Sequence, residues 1–321
     1  MMDLFTAKKI SPMLIKDEVE VFDDPDYLYE LKFDGIRCIA YLDSNEKTQL
    51  FNKRQLLLNM HFPELMDIHK NVKGRCILDG EVFVMRDGRP NFADVQRRAL
   101  TSDKYKIELQ AKRYPASFVA YDILYYRGKS ITDLPLLQRK AKLEMVVKQE
   151  NGWFSYSRFS TGQGVLLYKM TKEQNLEGIV AKRADSKYYQ GKKTNDWVKI
   201  KNMLDDDYVI CGYVVEGYIR TLILGQYAGE ELVYKGRVTG ISKAVFSDIL
   251  AVPKMSCPFS ELTEEDAVWI KPELVCKVKF MEYTAGGGMR QPAFVALRDD
   301  KLPRDCVVKK SEDSTSDSEK S

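Results

Sequence analysis

The chain has 321 residues, 44% hydrophobic and 30% charged, with a net charge of +3, which is too long for one small domain and has the composition of a globular protein with a sizeable core. No apolar run approaches the roughly 20 residues of a membrane span, and the N-terminus lacks the apolar stretch of a signal peptide. With only His61 and His69, chemistry built on several imidazoles is excluded, and lysine, arginine and carboxylates must do the work. The expectation is a cytoplasmic chain with no membrane partner. Six cysteines (38, 76, 211, 257, 276, 306) form no Cys-x-x-Cys pair, so reduced, buried thiols are expected in place of a zinc knuckle. Charge is uneven: residues 1–204 carry 35 Lys+Arg against 27 Asp+Glu (+8), residues 205–310 carry 14 against 16 (−2), and residues 311–321 carry 1 against 4 (−3). A basic first part suits a phosphate-bearing partner, although solvated basic faces are common.

In chain order, strand signals fall at residues 27–32, 38–42, 77–85 and 117–125. Pro135 then opens an amphipathic helix with Leu136, Leu137, Leu143, Val146 and Val147 on one face and Asp133 near its start. A second helix is expected at residues 165–174 and a further strand at 178–182. Residues 1–204 thus read as a mixed α+β domain. After Lys201 the character changes. Asp205, Asp206 and Asp207 precede short strands at 208–215, 221–227, 232–238 and 275–283, with one helix at 242–250. That pattern over residues 205–310 predicts a small β-barrel of the oligonucleotide-binding (OB) kind. Residues 311–321 have nothing apolar to bury and are expected to be a disordered acidic tail.

The first stretch carrying chemistry is Tyr29-Glu30-Leu31-Lys32-Phe33-Asp34-Gly35-Ile36-Arg37. A lysine ends a strand, a glycine turns the chain, and an arginine returns on the same side; by itself this could equally be a charged β-turn. Ile77-Leu78-Asp79-Gly80-Glu81 and Leu176-Glu177-Gly178-Ile179 then place acids within apolar strands. Trp197-Val198-Lys199-Ile200-Lys201 sends Lys199 and Lys201 to one face. Acids and lysines on the working face of a half-buried sheet need partners or a charged ligand. A cleft lined by Lys32, Glu81, Glu177, Lys199 and Lys201 would suit a nucleotide with a divalent metal.

Taken together, the series resembles the covalent nucleotidyltransferases, the superfamily of DNA ligases, RNA ligases and mRNA-capping enzymes. Its motifs are matched at Lys32–Arg37 (motif I), Asp79–Glu81 (III), Phe118–Tyr125 (IIIa), Glu177–Val180 (IV), Lys199–Lys201 (V) and Arg298–Lys301 (VI). Within the superfamily the chain looks most like the ligase module of bacterial end-joining DNA ligase D. Arg54 with His61-Phe62-Pro63-Glu64-Leu65 resembles motif Ia, residues 186–197 the approach to motif V, and residues 290–294 the approach to motif VI. Asn52-Lys53-Arg54-Gln55-Leu56 departs from the Ser/Thr-Arg-Asn-Gly usual at motif Ia, which weakens the assignment of Arg54. The resemblance implies an α+β, ATP-grasp-like nucleotidyltransferase (adenylation) domain followed by an OB-fold domain.

It also implies an activity: ATP-dependent joining of 5′-phosphate and 3′-hydroxyl ends in duplex DNA. Lys32 would attack the α-phosphorus of ATP and keep AMP, then pass it to the 5′-phosphate before the 3′-hydroxyl displaces it. Glu81 and Glu177 would hold Mg2+ (or Mn2+), with Glu81 alternatively touching the ribose. Lys199 and Lys201 would stabilise the α-phosphate charge. Glu30 would lie beside the adenine, Tyr121 would stack on it or belong to the core, and Arg37 would reach the sugar or the nick phosphate. Arg54, Arg298 and Lys301 would complete nucleotide binding, the last two from a barrel that closes on ATP about a hinge near Asp205–Asp207. DNA contacts are expected from Arg54, Arg97, Arg98, Lys112, Arg113, Lys192 and Lys193, mostly in loops, with Phe92 pressing on the minor groove or capping a core. The enzyme would be a monomer acting on nicked or broken duplex DNA, with end-joining proteins supplied in trans. The rivals are an RNA ligase, a GTP-using capping enzyme, or a non-catalytic DNA-binding relic; Phe33 after Lys32, where capping enzymes carry threonine, speaks against the second.

Overall fold

The computed structural model describes residues 3–260, 266–284 and 286–308; the tail expected to be disordered lies outside the described residues. The chain divides into two compact units between Asn202 and Met203.

The principal strands of the first unit are β1 (Tyr27–Leu31), β2 (Ile36–Asp43), β3 (Thr48–Asn52), β4 (Arg75–Arg86), β5 (Ala116–Tyr126), β6 (Phe159–Thr161), β7 (Gly178–Arg183) and β8 (Trp197–Lys201). They form a larger sheet in the order β3-β2-β4-β5, extended by shorter strands, and a smaller antiparallel sheet in the order β6-β1-β7-β8. Strand alternation decides which side chains reach the space between them. On β2, Cys38, Ala40 and Leu42 enter one core together with Cys76, Leu78, Val82 and Val84 of β4. The opposite parity, Ile39, Tyr41 and Ile77, packs with Leu28 of β1 and Trp197 of β8 in a second core. Arg37, Asp79 and Glu81 share that second parity and so face the smaller sheet. On the smaller sheet Tyr29, Ile179, Ala181, Val198 and Ile200 form a third core. Glu30, Val180, Lys182 and Trp197, alternating with them, face back.

The longer helices of this unit are α1 (Phe92–Leu100), α2 (Lys104–Arg113), α3 (Leu136–Val146) and α4 (Gly164–Glu173). The first two correct the expectation of loops there. Asn91 caps α1 through the Asp94 amide (2.9 Å) and Asp103 caps α2 through the Lys106 amide (2.8 Å), each satisfying an amide with no helical partner. In α3, Leu136, Leu143 and Val146 are buried as expected, but Leu137 is 49% exposed and Arg139 and Lys140 take the inward face.

The second unit is one five-stranded antiparallel sheet of β9 (Leu204–Glu216), β10 (Ile219–Ala228), β11 (Glu231–Val238), β12 (Val268–Phe280) and β13 (Ala293–Leu297), ordered β11-β10-β9-β12-β13. One helix, α5 (Lys243–Leu250), capped by Ser242, closes over its core with Phe246 and Ile249. Asp205, Asp206 and Asp207 lie inside β9, paired in register with Lys279, Val278 and Lys277. They are therefore part of the sheet and no irregular linker; Lys277 neutralises Asp205 at 2.9 Å, which makes an acidic run compatible with a strand.

Candidate active site

The site is assembled where three neighbouring strands of the smaller sheet end on the same edge. Lys32 follows directly on β1, and its amide donates to the Gly178 carbonyl at 2.9 Å. That pairing brings Glu177 alongside, with Lys32 Nζ 2.7 Å from Glu177 Oε1. Gly178 adopts φ +133°, and a Cβ there would collide with the Ile200 carbonyl of β8, so only glycine lets β7 and β8 approach this closely. Lys201 lies opposite Gly178 in the β7–β8 register. It and Lys199 reach Glu18 at 3.2 and 3.8 Å.

Across the gap stands the larger sheet. Arg37 and Glu81 are register partners on β2 and β4. Arg37 donates to both oxygens of the fully buried Asp79, at 2.6 and 2.5 Å, and its guanidinium lies 4.7 Å from the Tyr121 ring centroid. Tyr188 completes this arrangement, donating to Asp79 at 2.6 Å while its hydroxyl accepts the Met13 amide at 3.0 Å. Burial pushes the Glu81 carboxyl up to about 8, with Glu177 and Asp79 pushing the same way against Arg37 and Lys32. Two carboxylates that repel one another are a seat for a divalent cation, which would relieve the repulsion. Among the described residues no group of three or more His, Cys, Asp or Glu gathers for a metal, so a cation here would complete its shell with phosphate oxygens and water.

Glu30, 1% exposed, is held at 3.1 Å by Lys140 and at 3.0 Å by Lys182. Burial opposes its ionisation, but the two ammonium groups outweigh that and hold its carboxyl below the usual range. Burial lowers Lys182 to about 8 despite Glu30. Glu30, Lys32, Arg37, Glu81 and Tyr121, all anticipated from sequence, line one pocket together with Lys182 and Trp197. Sequence reasoning missed Lys140, Lys182, Asp79 as the Arg37 partner, Tyr188 and Glu18. Lys182 was within reach, because it shares strand parity with Val180 and is the register partner of Leu28.

Residues 6–201 match the family model of the ATP dependent DNA ligase domain, and residues 216–301 that of the ATP dependent DNA ligase C terminal region. The chain belongs to the ATP-dependent DNA ligases. It is similar to the SPbeta prophage-derived DNA ligase-like protein LigB of Bacillus subtilis, at 29% identity over 90% of this chain and 99% of that one. It is 31% identical to a DNA ligase of Thermococcus onnurineus over 93% of this chain, and spans 57% of that protein. The ligase domain of M. tuberculosis LigD has the same fold, with TM-score 0.55 and 25% identity over 94% of this chain and 99% of that one. The ligase therefore consists of a nucleotidyltransferase domain and a C-terminal OB-fold domain.

In the ligase several expected residues stand elsewhere. Arg54 lies exposed in the turn after β3 and is not among the residues lining the pocket. Arg98 is 2% exposed, ion-paired with Glu64 and donating to the Tyr114 and His61 carbonyls; it is a core strut and offers no charge to DNA. Phe92 opens α1 and packs half-buried on the main core. Arg97, Lys112, Arg113, Lys192 and Lys193 are exposed. In the OB-fold domain, Arg298 and Lys301 converge on Asp207 at 3.1 and 2.9 Å, and Arg298 also grips Asp300 at 2.7 Å. Among the described residues no helix of the ligase is long and apolar enough to cross a membrane.

Proposed function

We propose that Lys32 is the nucleophile that takes AMP from ATP, and that the ligase passes this AMP to the 5′-phosphate of a nick or break in duplex DNA before sealing it. The observation that carries the reading is the Lys32–Glu177 ion pair of 2.7 Å at a pocket floored by Glu30 and walled by Tyr121 and Trp197. Attack requires the neutral amine: its lone pair forms the N–P bond, its proton leaves, and the bond to pyrophosphate breaks. The ion pair with Glu177 restrains the amine until that carboxylate is engaged elsewhere. Mg2+, or Mn2+ in its place, bound by Glu81 and Glu177 would withdraw that restraint and neutralise charge on the phosphates. Lys199 and Lys201 would exchange Glu18 for the α-phosphate oxygens. Arg298 and Lys301 serve the pyrophosphate end of ATP, and Arg37 the sugar or nick phosphate. The ligase acts as a monomer, and end-joining proteins in trans would bring double-strand ends to it. Incubation with α-labelled ATP and Mg2+ should leave label on the denatured protein, and GTP should not; covalent label absent with ATP, or equal with GTP, would refute the proposal.

A further inference from the structure

Lys140 is a buried cation behind Glu30. It is 4% exposed on the inward face of α3, where the neighbouring Leu136 and Leu143 are apolar. A methionine there would avoid the cost of desolvating an ammonium, and buried ion pairs seldom stabilise more than the apolar residues that could replace them. The adjacent Arg139 shows what a purely structural charge looks like in this helix. It makes a bidentate pair with Asp122 at 2.9 and 2.8 Å and ties the Leu134 and Ser186 carbonyls to it. Lys140 likewise holds two backbone carbonyls, of Tyr121 and Ser157 at 3.2 and 3.1 Å, but the carboxylate it holds, at 3.1 Å, is Glu30, which lines the pocket.

Glu30 has two cations, and they stand differently. Lys182 lines the nucleotide pocket and lies 4.5 and 4.4 Å from the Tyr121 and Trp197 ring centroids, whereas Lys140 is absent from the pocket wall. Lys182 faces the ligand pocket; Lys140 is fixed behind the carboxylate by two backbone carbonyls. We propose that Lys140 is a positioning residue for base selection, locking Glu30 as an oriented acceptor that takes the amino group of adenine and repels the carbonyl of a 6-oxopurine. This rests on the reading of the pocket as the ATP site. A carboxylate without this lock can turn or take up a proton, and a protonated carboxyl donates to a 6-oxo group as readily as a carboxylate accepts from an amino group.

The test is self-adenylation of the full chain, measured with ATP and with ITP, whose base carries an oxygen in place of the amino group. Lys140→Met should raise the KM for ATP about tenfold while changing the maximal rate less than about threefold, and should cut the ATP-over-ITP preference about tenfold, roughly 1.4 kcal/mol. Lys140→Arg should restore most of the preference. An unchanged preference in a folded Lys140→Met would overturn the proposal, as would a loss confined to the maximal rate. Should Lys140→Met not fold, Glu30→Gln and Glu30→Gln/Lys140→Met take its place. Equal preference in these two is expected, and a further loss in the pair would show that Lys140 acts without Glu30. Failure of the ATP-site reading is separately visible, as absence of labelling by ATP in the parent.

Discussion

Lys32 and Glu177 hold each other at 2.7 Å on neighbouring strands, and among the described residues no second amine stands in that position. Lys32→Ala should therefore abolish label transfer from ATP by at least about a thousandfold, and yet still seal a nick that already bears 5′-AMP, because the last step does not use the lysine. Gel assays on the two substrates separate these outcomes, and undiminished labelling in the variant would end the assignment. Glu81 makes a second prediction. Its carboxyl is raised from 4.5 to about 8 in the fold, so the folded chain holds a proton there that the unfolded chain has released. The stabilisation this brings is full below pH 4.5 and is lost as the pH rises through 8. Glu81→Gln cannot lose it. In metal-free buffer the variant should match the parent in Tm near pH 5 and exceed it by about 2–6 °C at pH 8. A gap that grows toward low pH would contradict the assigned direction.

At the scale of elements, α1 shows where a charged helix does structural work. Arg98 joins α1 to Glu64 and to two carbonyls beneath the larger sheet. Arg98→Ala should cost about 3 kcal/mol or more, because it leaves a buried carboxylate unpaired, while the neighbouring Arg97→Ala should cost less than about 0.5 kcal/mol. Urea melts of both variants measure this, and equal effects would place Arg98 back on the surface. The same helix marks the limit of what could be read from sequence. Strands β1, β2, β4, β5, β7 and β8 were legible as strand-length apolar runs interrupted by single acids, lysines or arginines, and strand parity then sorts the motif residues on them. Helices α1 and α2 were not, because arginine and lysine crowd the stretch and obscure the apolar stripe, although Asn91 and Asp103 offered capping signals. Burial of Arg98 and Lys140 was illegible for a related reason. Nothing in one sequence tells which cation finds a carboxylate on a distant strand; Glu64, Glu30 and Asp79 acquire their partners only through tertiary pairing. Asp205–Asp207 erred in the opposite sense, as acids that looked like a linker are held in a strand by Lys277, Arg298 and Lys301.

For the whole molecule the decisive question is how duplex DNA is held. Lys192 and Lys193 are exposed in the segment leading to β8, in the part of the chain with an excess of 8 positive charges (35 Lys+Arg less 27 Asp+Glu over residues 1–204). Neutralising a phosphate releases counterions, so affinity for nicked DNA should fall steeply with salt. Lys192→Ala/Lys193→Ala should lower the logarithmic salt slope by roughly one unit for each phosphate left unneutralised, with self-adenylation unchanged; an unaltered slope would remove these lysines from the DNA path. The OB-fold domain gives the complementary case. Arg298→Ala/Lys301→Ala should depress labelling by ATP far more than sealing of pre-adenylated DNA, and equal losses in the two assays would refute a role confined to the pyrophosphate end.

The reactive edge of the smaller sheet has a consequence for how such a chain can change over generations. Lys32, Glu177 and Lys201 are neighbours through the hydrogen-bond ladders of β1, β7 and β8, whereas the chain between residues 32 and 177 leaves this sheet, builds the larger one and returns. One residue inserted within β7 would turn every side chain beyond it to the opposite face. A far longer insertion in the exposed turns at Gly88 or Gly128, where a Cβ would meet nothing within 4 Å, leaves the ladder untouched. Lineages of this architecture are thus free to lengthen at those turns and acquire new appendages there, while the lengths of three short strands stay frozen.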